Sequence, residues 1–147
     1  MKKIVTLTIN PAIEKSTTVA GIKPNSKLRC TAPSFEAGGG GITISRVIHE
    51  LKGSSNCMYL AGGPTGEFLS ELLDKFKFQQ HIITTKCWTR ENLAVTDTTN
   101  NQQYRFEMPG TEVTKEEWQK ALDQLENILC AGDFLVASGS LSPNMPN

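Results

Sequence analysis

Two glycine clusters are the positions where a ligand could approach the backbone of this chain most closely. Residues 38–41 are all glycine, and the pair Gly62-Gly63 follows later; each cluster precedes a stretch with helical spacing. Glycine permits positive φ angles and leaves peptide N–H groups uncovered by a Cβ atom. A helix that begins directly afterwards offers unpaired N–H groups and a positive dipole end, which favour an anion such as phosphate. A flexible linker is the alternative for a glycine run, but patterned sequence flanks this one, so we predict a ligand loop.

Length and composition are those of a single globular domain. The 147 residues fit the usual size of one domain, roughly 100–200 residues. Lysine plus arginine and aspartate plus glutamate both total 15, so the formal net charge is zero, and no basic surface for nucleic acid is expected. No apolar run approaches the roughly 18 residues of a membrane span, and the N-terminal run is too short for a signal peptide. We therefore expect neither nucleic acid nor a membrane as partner.

The cysteines and histidines predict no metal site. Four cysteines are spread along the chain without a CxxC pair: Cys30, Cys57, Cys87 and Cys130. Such spacing matches neither a zinc site nor a redox pair, and it predicts reduced thiols in a cytoplasmic protein. His49 and His81 have no cluster of other ligands, so we expect them to be solvated or satisfied within the core.

The first half of the chain alternates strand and helix patterns. Residues 4–9 predict a short strand. After the glycine run, apolar residues within 44–51 lie on one helix face, with Gly53 as the expected C-cap. Residues 57–61 predict a buried strand, and Thr65 is expected to cap the helix that follows, with Glu67 in its first turn.

The second half contains a hairpin pattern and the clearest helix signal. Two short strand patterns flank Asn100-Asn101, which predicts a hairpin. Residues 114–117 form a capping box, and an apolar helical stripe follows it, at Trp118, Leu122, Leu125 and Leu129. Gly132 should stop this helix. The continuous apolar run 134–137 then predicts a buried parallel strand.

Strands that alternate with helices predict an α/β fold with right-handed βαβ units and a mainly parallel sheet. The polar strand patterns at 16–35 and 90–107 do not fit such a core. We place them together as a small antiparallel flap over the ends of the parallel strands, where open α/β sheets bind ligands.

Several motifs, in the same order and at matching separations, closely resemble the ribokinase-like (PfkB) sugar kinases. These motifs are Thr6-Leu7-Thr8, Lys27-Leu28-Arg29-Cys30-Thr31-Ala32-Pro33, Phe35-Glu36, residues 38–42, Ala61-Gly62-Gly63, Trp88-Thr89-Arg90, Gln103-Tyr104-Arg105-Phe106 and Met108-Pro109-Gly110. The resemblance covers the whole chain and implies a three-layer α/β sandwich with a small β lid. It implies lid segments at about 14–35 and 89–108 and core segments at about 1–13, 36–88 and 109–147.

Within this family the resemblance is strongest to the kinases that phosphorylate fructose 6-phosphate at the C1 hydroxyl with Mg-ATP. A complete member is much longer, and its Gly-Ala-Gly-Asp segment with the catalytic aspartate has no counterpart here. The resemblance therefore implies the N-terminal, sugar-phosphate-binding half of a kinase, which is inactive alone and has no catalytic residue of its own. The complete enzyme would use ATP and Mg²⁺, and this chain alone would bind neither of them.

The expected partners are a sugar phosphate, fructose 6-phosphate in the first place, and a second subunit that pairs through the lid, either another copy of this chain in a homodimer or a complete kinase. Other readings stay open: a non-catalytic sugar-phosphate-binding or lid-pairing module, a kinase for tagatose 6-phosphate or fructose 1-phosphate, or a degenerate product without a role. Because the sequence ends just after a buried-type strand, we also expect an uncovered apolar sheet edge and self-association of the isolated chain.

The resemblance also assigns roles to individual residues. Its basic lid positions, which hold the substrate phosphate, correspond to Lys27, Arg90 and Arg105. A phosphate dianion suits guanidinium and ammonium groups; the alternative is that these cations protect sheet edges from aggregation. Backbone contacts to the sugar fall on Gly38, Gly39 and Gly40. A small polar residue near the substrate corresponds to Ser140, which could equally be an ordinary turn serine.

Some positions depart from the family pattern. Glu14 replaces an aspartate that accepts hydrogen bonds from sugar hydroxyls, which keeps the charge but moves it by one methylene. Thr43 replaces an asparagine, whose paired donor and acceptor a hydroxyl cannot reproduce, and Ser45 replaces an alanine. Residues 142–144 replace a Pro-Pro-Gly turn, so we expect the last loop to be displaced. We expect a weaker fit to the sugar or a different sugar phosphate, and packing roles for three further residues, Cys30, Cys87 and Trp88.

Overall fold

The computed structural model describes residues 2–145 as eight strands and three helices in two sheets. The helices are α1 (Gly40–Glu50), α2 (Gly63–Asp74) and α3 (Lys115–Ile128). The strands are β1 (Ile4–Thr8), β2 (Ala12–Val19), β3 (Ser34–Gly38), β4 (Asn56–Ala61), β5 (Gln79–Thr84), β6 (Arg90–Asp97), β7 (Gln102–Phe106) and β8 (Phe134–Ala137).

The first sheet has the strand order β5-β4-β1-β8, and all its neighbouring strands are parallel. Alternate side chains of β4 point to opposite faces, as the pleat of a strand requires. Tyr59 packs in the core cluster that contains Leu69 of α2, whereas Met58 packs in the cluster that contains Leu125 of α3. Helices therefore cover both faces of a parallel sheet, which confirms the predicted α/β fold with a mainly parallel sheet.

The second sheet has the order β3-β2-β6-β7 and is mixed. Its outer pairs are antiparallel, but the central pair β2–β6 is parallel, with Ala12 opposite Arg90. The predicted antiparallel flap is wrong for this pair because β2 and β6 both leave the same edge of the first sheet and run in the same direction. The strands also differ from those predicted at 16–35: β2 begins earlier, and residues 20–33 form a connection without a strand.

A buried carboxylate ties that connection to the hairpin between β6 and β7. Asp97 is only 3 % exposed, and it accepts hydrogen bonds from the N–H groups of Gly21 and Ile22 and from Thr99. Hydrogen bonds from the hydroxyl and N–H of Thr99, and then from the N–H of Ile22, lower the pKa of Asp97 to about 2. The predicted hairpin around Asn100-Asn101 is confirmed, and Asn101 adopts a positive φ there.

The helix ends agree with the sequence in one case and differ in two. Thr114 and Glu117 form the predicted capping box of α3. Helix α1 ends at Glu50, and the left-handed residue after it is Lys52 (φ 62°) instead of the predicted Gly53. The N-cap of α2 is Gly62, so Thr65 lies inside the helix, where its hydroxyl donates to the carbonyl of Thr89.

The same shift of α2 leaves no acidic residue in its first turn. The predicted first-turn position of Glu67 is therefore wrong, because the helix begins at Gly63, two residues before the expected cap. The start of α2 has no side-chain cap. The carbonyl of Gly62 accepts hydrogen bonds from the N–H groups of Gly66 and Thr89.

The apolar stripe of α3 is only partly buried. Ala121 and Leu125 are buried, but Leu122 is 44 % exposed because it lies on the face turned away from the first sheet. The carboxylate of Glu117 is buried instead, and it accepts hydrogen bonds from the N–H groups of Thr114 and Lys86. These bonds satisfy a charge that would otherwise be costly to bury.

Strand β8 is parallel to β1, as predicted, but it is not buried. It is an edge strand, and its apolar side chains Phe134 and Leu135 are 55 % and 46 % exposed. An apolar run cannot distinguish a covered strand from an uncovered one, since covering depends on other elements. None of the helices between residues 2 and 145 has the length and apolarity needed to cross a membrane.

Candidate functional site

The two sheets meet along a line of contacting residues that we call the seam: Asn10, Glu14, Gly38, Arg90, Asn92, Met108 and Ser140. Asn10 follows β1, where the parallel strands of the first sheet end, and β2 and β6 begin close to it. The carboxyl ends of the strands in an open α/β sheet are the usual place for a ligand. The seam is therefore the candidate site.

Glu14 lies on the central part of the second sheet and is held from two sides. Its Oε1 accepts a hydrogen bond of 2.9 Å from the side-chain amide of Asn92, its register partner on β6. On the other side, a Cβ atom at Gly38 would lie 2.6 Å from Cγ of Glu14. Gly38 thus leaves the space that the longer side chain of Glu14 occupies.

Arg90 connects the ends of both sheets. Its Nη1 donates to the carbonyl of Met108 at 2.9 Å, and its Nη2 donates to the carbonyl of Asn10 at 3.3 Å. A guanidinium group has five N–H donors, so three are left; among the described residues, the buried Nε has no partner. Arg90 therefore braces the seam and retains donors for an anion.

Ser140 is joined to the seam by Asn10, whose side-chain amide donates to Oγ of Ser140 at 3.0 Å. Asn10 is itself buried, and a Cβ atom at Gly110 would lie 2.5 Å from its amide nitrogen. Four of the predicted site residues, Glu14, Gly38, Arg90 and Ser140, are thus brought together by contacts within the seam.

The glycine run forms the turn from β3 into α1, as the sequence predicts. Gly39 has φ 139° and is the N-cap of α1, without a side-chain cap. A Cβ atom at Gly40 would lie 2.8 Å from the carbonyl carbon of Ser138, and one at Gly41 would lie 2.7 Å from the carbonyl oxygen of Leu7. Close packing against the neighbouring strands β1 and β8 therefore requires Gly40 and Gly41, whatever ligand the turn receives.

Two predicted phosphate ligands lie outside the network of the seam. Lys27 is exposed in the connection between β2 and β3. Arg105 is exposed on β7, with Nη2 only 3.8 Å from a carboxylate oxygen of Glu107, and both side chains are more than 60 % exposed. Such a pair contributes little to stability, so within residues 2–145 both cations are accessible to a ligand.

Thr43 and Ser45 have different surroundings although both depart from the family pattern. Thr43 is exposed on the first turn of α1. Ser45 is fully buried, and its hydroxyl is hydrogen bonded to those of Thr6 (2.8 Å) and Ser55 (2.9 Å). Burial raises the pKa of the neighbouring thiol of Cys57. Ser45 therefore belongs to an internal hydroxyl network.

Three residues expected to pack are exposed. Cys30 and Cys87 are exposed thiols, and Trp88 is 61 % exposed. The packing prediction was wrong because residues 27–34 and 86–88 lie on the surface. Trp88 nevertheless contacts the turn before α2, since a Cβ atom at Gly63 would meet its indole ring.

The last loop keeps its turn despite the substituted residues. Asn144 has φ 67°, a conformation that asparagine tolerates better than other side chains, and the N–H of Met145 is bonded to the carbonyl of Ser142 at 3.4 Å. Asn144 therefore holds a left-handed conformation at the position where the family pattern has glycine.

Sequence reasoning missed the two asparagines of the seam. Neither Asn10 nor Asn92 is among the predicted site residues, yet both are buried and link those residues to one another. A polar residue inside the strand pattern at 92 was the available signal. Its partner Glu14 is 78 residues away in the sequence, so no local pattern could predict the contact.

Comparison with known proteins identifies the family. The profile of the pfkB family carbohydrate kinases matches residues 2–147. The chain is 40 % identical over 143 residues to the ATP-dependent 6-phosphofructokinase isozyme 2 of Mycobacterium tuberculosis, covering 97 % of this chain and 42 % of that protein. It is 43 % identical over 145 residues to the isozyme 2 of Escherichia coli K12, covering 99 % of this chain and 47 % of that protein.

A solved structure shows the same fold. The chain superposes with a TM-score of 0.93 and 42 % identity on phosphofructokinase-2 from Escherichia coli in complex with fructose-6-phosphate, covering 99 % of this chain and 48 % of that one. This chain thus spans about half the length of the relatives it matches. Because the family profile matches all but the first residue, the chain belongs to the pfkB family of carbohydrate kinases.

Proposed function

We propose that this chain forms the sugar-phosphate-binding part of an ATP-dependent kinase that phosphorylates fructose 6-phosphate at its C1 hydroxyl. The observation that carries the proposal is the continuous network of the seam. It gathers a carboxylate (Glu14), a guanidinium (Arg90) and a hydroxyl (Ser140) next to the glycine turn. The relatives named above are sugar kinases, and one of them was solved with fructose-6-phosphate.

Each group has a chemical role in this proposal. The carboxylate of Glu14 accepts hydrogen bonds from sugar hydroxyls, and the backbone of Gly38, Gly39 and Gly40 allows the sugar to approach. The phosphate is bound by the remaining donors of Arg90 together with the accessible cations Lys27 and Arg105, a combination typical of phosphate sites. These three cations would reach the phosphate from the second sheet and its β2–β3 connection, which then act as a lid.

ATP and Mg²⁺ belong in this proposal to the complete kinase. Among residues 2–145, no three His, Cys, Asp or Glu side chains are grouped where they could hold a metal ion. Glu14 is the carboxylate of the seam, and an amide already occupies one of its oxygens. We assign no step of phosphoryl transfer to the residues of the seam.

The proposal is tested by calorimetric titration of the chain with fructose 6-phosphate, tagatose 6-phosphate and fructose 1-phosphate. We expect the first to bind most tightly and binding to weaken in Arg105→Ala and Lys27→Ala. Lys23→Ala is the matched control, since Lys23 is an exposed lysine in the same connection. Absence of binding, or equal effects of Lys27→Ala and Lys23→Ala, would contradict the proposal.

The substitution Thr43→Asn tests the departure at the first turn of α1. Restoring an amide with both a donor and an acceptor should tighten fructose 6-phosphate binding, because one hydrogen bond to a substrate contributes about 1 kcal/mol. Thr43 is exposed, so the substitution should leave stability unchanged. Unaltered affinity would show that this position does not contact the sugar.

A second candidate function is pairing through the second sheet with another subunit. Strand β7 is exposed along its whole length, and Phe106 and Met108 are 50 % and 46 % exposed. Apolar side chains on an accessible sheet favour an interface. We expect Phe106→Glu to abolish co-elution with a complete kinase, whereas Leu122→Glu on α3 should not. Equal co-elution of both variants would contradict pairing through this sheet.

A cytoplasmic location is part of the same proposal. All four cysteines are free thiols, three of them exposed, and free exposed thiols are typical of reducing compartments. Alkylation of freshly lysed cells should label Cys30, Cys87 and Cys130 fully. Protection of these thiols until a reductant is added would contradict this location.

A further inference from the structure

We infer that Asn92 is a positioning residue for sugar recognition: it orients the carboxylate of Glu14 so that one oxygen faces the ligand. The inference deepens the proposed function and rests on it. Asn92 is buried at 7 % exposure on β6 and lies directly beside Glu14 in the register of the parallel pair. No part of the motif-based assignment includes Asn92.

The hydrogen bonds of Asn92 fix which way its amide points. Its Oδ1 accepts a hydrogen bond of 3.0 Å from the N–H of Met108. A backbone N–H can only donate, so the oxygen must face Met108 and the NH₂ group must face Glu14. The amide is therefore a polarised bridge with its donor end against the carboxylate, at 2.9 Å from Oε1.

The bridge leaves one oxygen of Glu14 for a ligand. Oε1 is occupied by Asn92, while among the described residues no hydrogen bond is made to Oε2. On the opposite side the side chain packs against the backbone of Gly38, where a Cβ atom would lie 2.6 Å from Cγ of Glu14. The long side chain is thus clamped between β3 and β6, and ordering it before the sugar binds lowers the entropic cost of binding.

Asn92 and Arg90 contact the same peptide segment at Met108. The carbonyl of Met108 accepts from Arg90, and its N–H donates to Asn92. One peptide segment therefore links the residue proposed to bind the phosphate with the residue that orients Glu14. The hydroxyl-binding and phosphate-binding ends of the site are set together by this segment.

The test replaces the donor end of the bridge by an acceptor of the same shape. In Asn92→Asp two carboxylates face each other, so Glu14 is pushed out of place when both are charged. We expect fructose 6-phosphate affinity of the 147-residue chain, measured by calorimetry, to fall roughly tenfold or more at pH 8. The loss should shrink toward pH 5.5, because one proton shared between the carboxylates restores a donor. Glu36, which is the register partner of Glu14 on β3 and is paired with Arg46 at 3.4 Å, is a further carboxylate beside Glu14 and is the same in every variant compared.

A double-mutant cycle separates positioning from a merely structural role. In the background of Glu14→Gln, the amide can donate to the new carboxylate, so Asn92→Asp should cause no pH-dependent loss. Asn127→Asp, on the exposed side of α3, is the matched control and should not change affinity at either pH. A loss that is equal at both pH values, or equal with and without Glu14→Gln, overturns the inference.

NMR spectroscopy tests the inference in two situations where the affinity measurement cannot. If Asn92→Asp does not fold, the NH₂ signals of Asn92 in the NMR spectrum replace it. They should shift in Glu14→Gln and stay unchanged in Asn127→Asp, and unchanged signals in Glu14→Gln overturn the inference. If the unaltered chain does not bind fructose 6-phosphate, the proposed function fails, while the same NMR signals still decide whether Asn92 orients Glu14.

Discussion

In the first sheet the central strand β4 is buried along almost its whole length, whereas in the second sheet β7 is exposed at every one of its residues. The first sheet lies between helices, with Tyr59 and Met58 in cores on opposite faces. The second sheet contributes the polar side chains Glu14, Arg90 and Asn92 to the seam.

This difference separates stability from recognition. The covered sheet fixes backbone turns, such as the one that packs Gly40 against Ser138, and apolar burial there holds the fold. The accessible sheet carries polar side chains that are held by one or two hydrogen bonds each and that lie where a ligand could contact them. Substitutions in the first sheet should therefore lower the free energy of unfolding, and those in the second should mainly change binding.

The largest expected effect is in the core of the first sheet. Leu73→Ala removes a fully buried side chain from α2 and should lower the free energy of unfolding by roughly 2–5 kcal/mol. Leu51→Ala is the control, since Leu51 is 77 % exposed; it should change stability by less than about 0.5 kcal/mol. Urea denaturation measures both variants. Similar losses of unfolding free energy would contradict the expected difference between buried and exposed positions.

Two glycines of the turn should differ in the same way, one affecting stability and the other affecting binding. A Cβ atom in Gly40→Ala meets backbone atoms of Ser138 and Gly139, which cannot move aside, so a loss of about 1–3 kcal/mol in unfolding free energy is expected. Gly38→Ala meets only side-chain atoms of Glu14 and no backbone. It should cost less stability but weaken fructose 6-phosphate binding.

Thermal unfolding and calorimetric titration of both variants test this division. The expectation would be contradicted if Gly40→Ala bound weakly but had normal stability while Gly38→Ala lost stability but bound normally.

The cap of α3 is expected to give a smaller effect. Thr114→Ala removes the hydroxyl that accepts from the N–H of Glu117 and should lower the free energy of unfolding by about 1 kcal/mol. Lys120→Ala, at an exposed position of the same helix, serves as control. Equal chemical denaturation midpoints for the two variants would show that the capping box does not stabilise the protein.

The smallest and most pH-dependent effect is expected in the second sheet. The pKa of Asp97 is lowered from 3.8 to about 2 in the folded protein. A lowered pKa means that the carboxylate stabilises the fold above about pH 4 and that this contribution is lost as the pH falls toward 2. Asn keeps one acceptor oxygen, so Asp97→Asn should be only mildly less stable at neutral pH.

Urea midpoints near pH 6 and near pH 2.5 measure this contribution. The difference between Asp97→Asn and the unaltered protein should be present at the higher pH and should largely disappear at the lower one. A difference that grows on acidification would contradict the proposed stabilising role of the charged form.

Local signals predicted much of the fold. The capping box at 114–117, the hairpin around Asn100-Asn101 and the turn of the glycine run all depend on residues close in sequence, and the structure confirms each of them. The end of α1 was less predictable, because Lys52 adopts the left-handed conformation one residue before the expected Gly53.

The candidate site was predictable only in part. Glu14, Gly38, Arg90 and Ser140 were identified by family resemblance, and they do lie along one network. The family pattern gave no reason to select Asn92, because its role comes from the parallel pairing of β2 with β6. That pairing reverses the antiparallel arrangement expected for the flap.

Residues a few positions apart encode the alternation of strands and helices and the capped and glycine-bearing turns, and the order of motifs along the chain identifies the family. Which apolar residues are covered depends on the packing of distant elements, as the exposure of Phe134 and Leu122 shows. The same packing also decides which polar groups meet across the seam, such as Glu14 and Asn92. Burial and long-range hydrogen bonds depend on elements distant in sequence, and no local pattern specifies them.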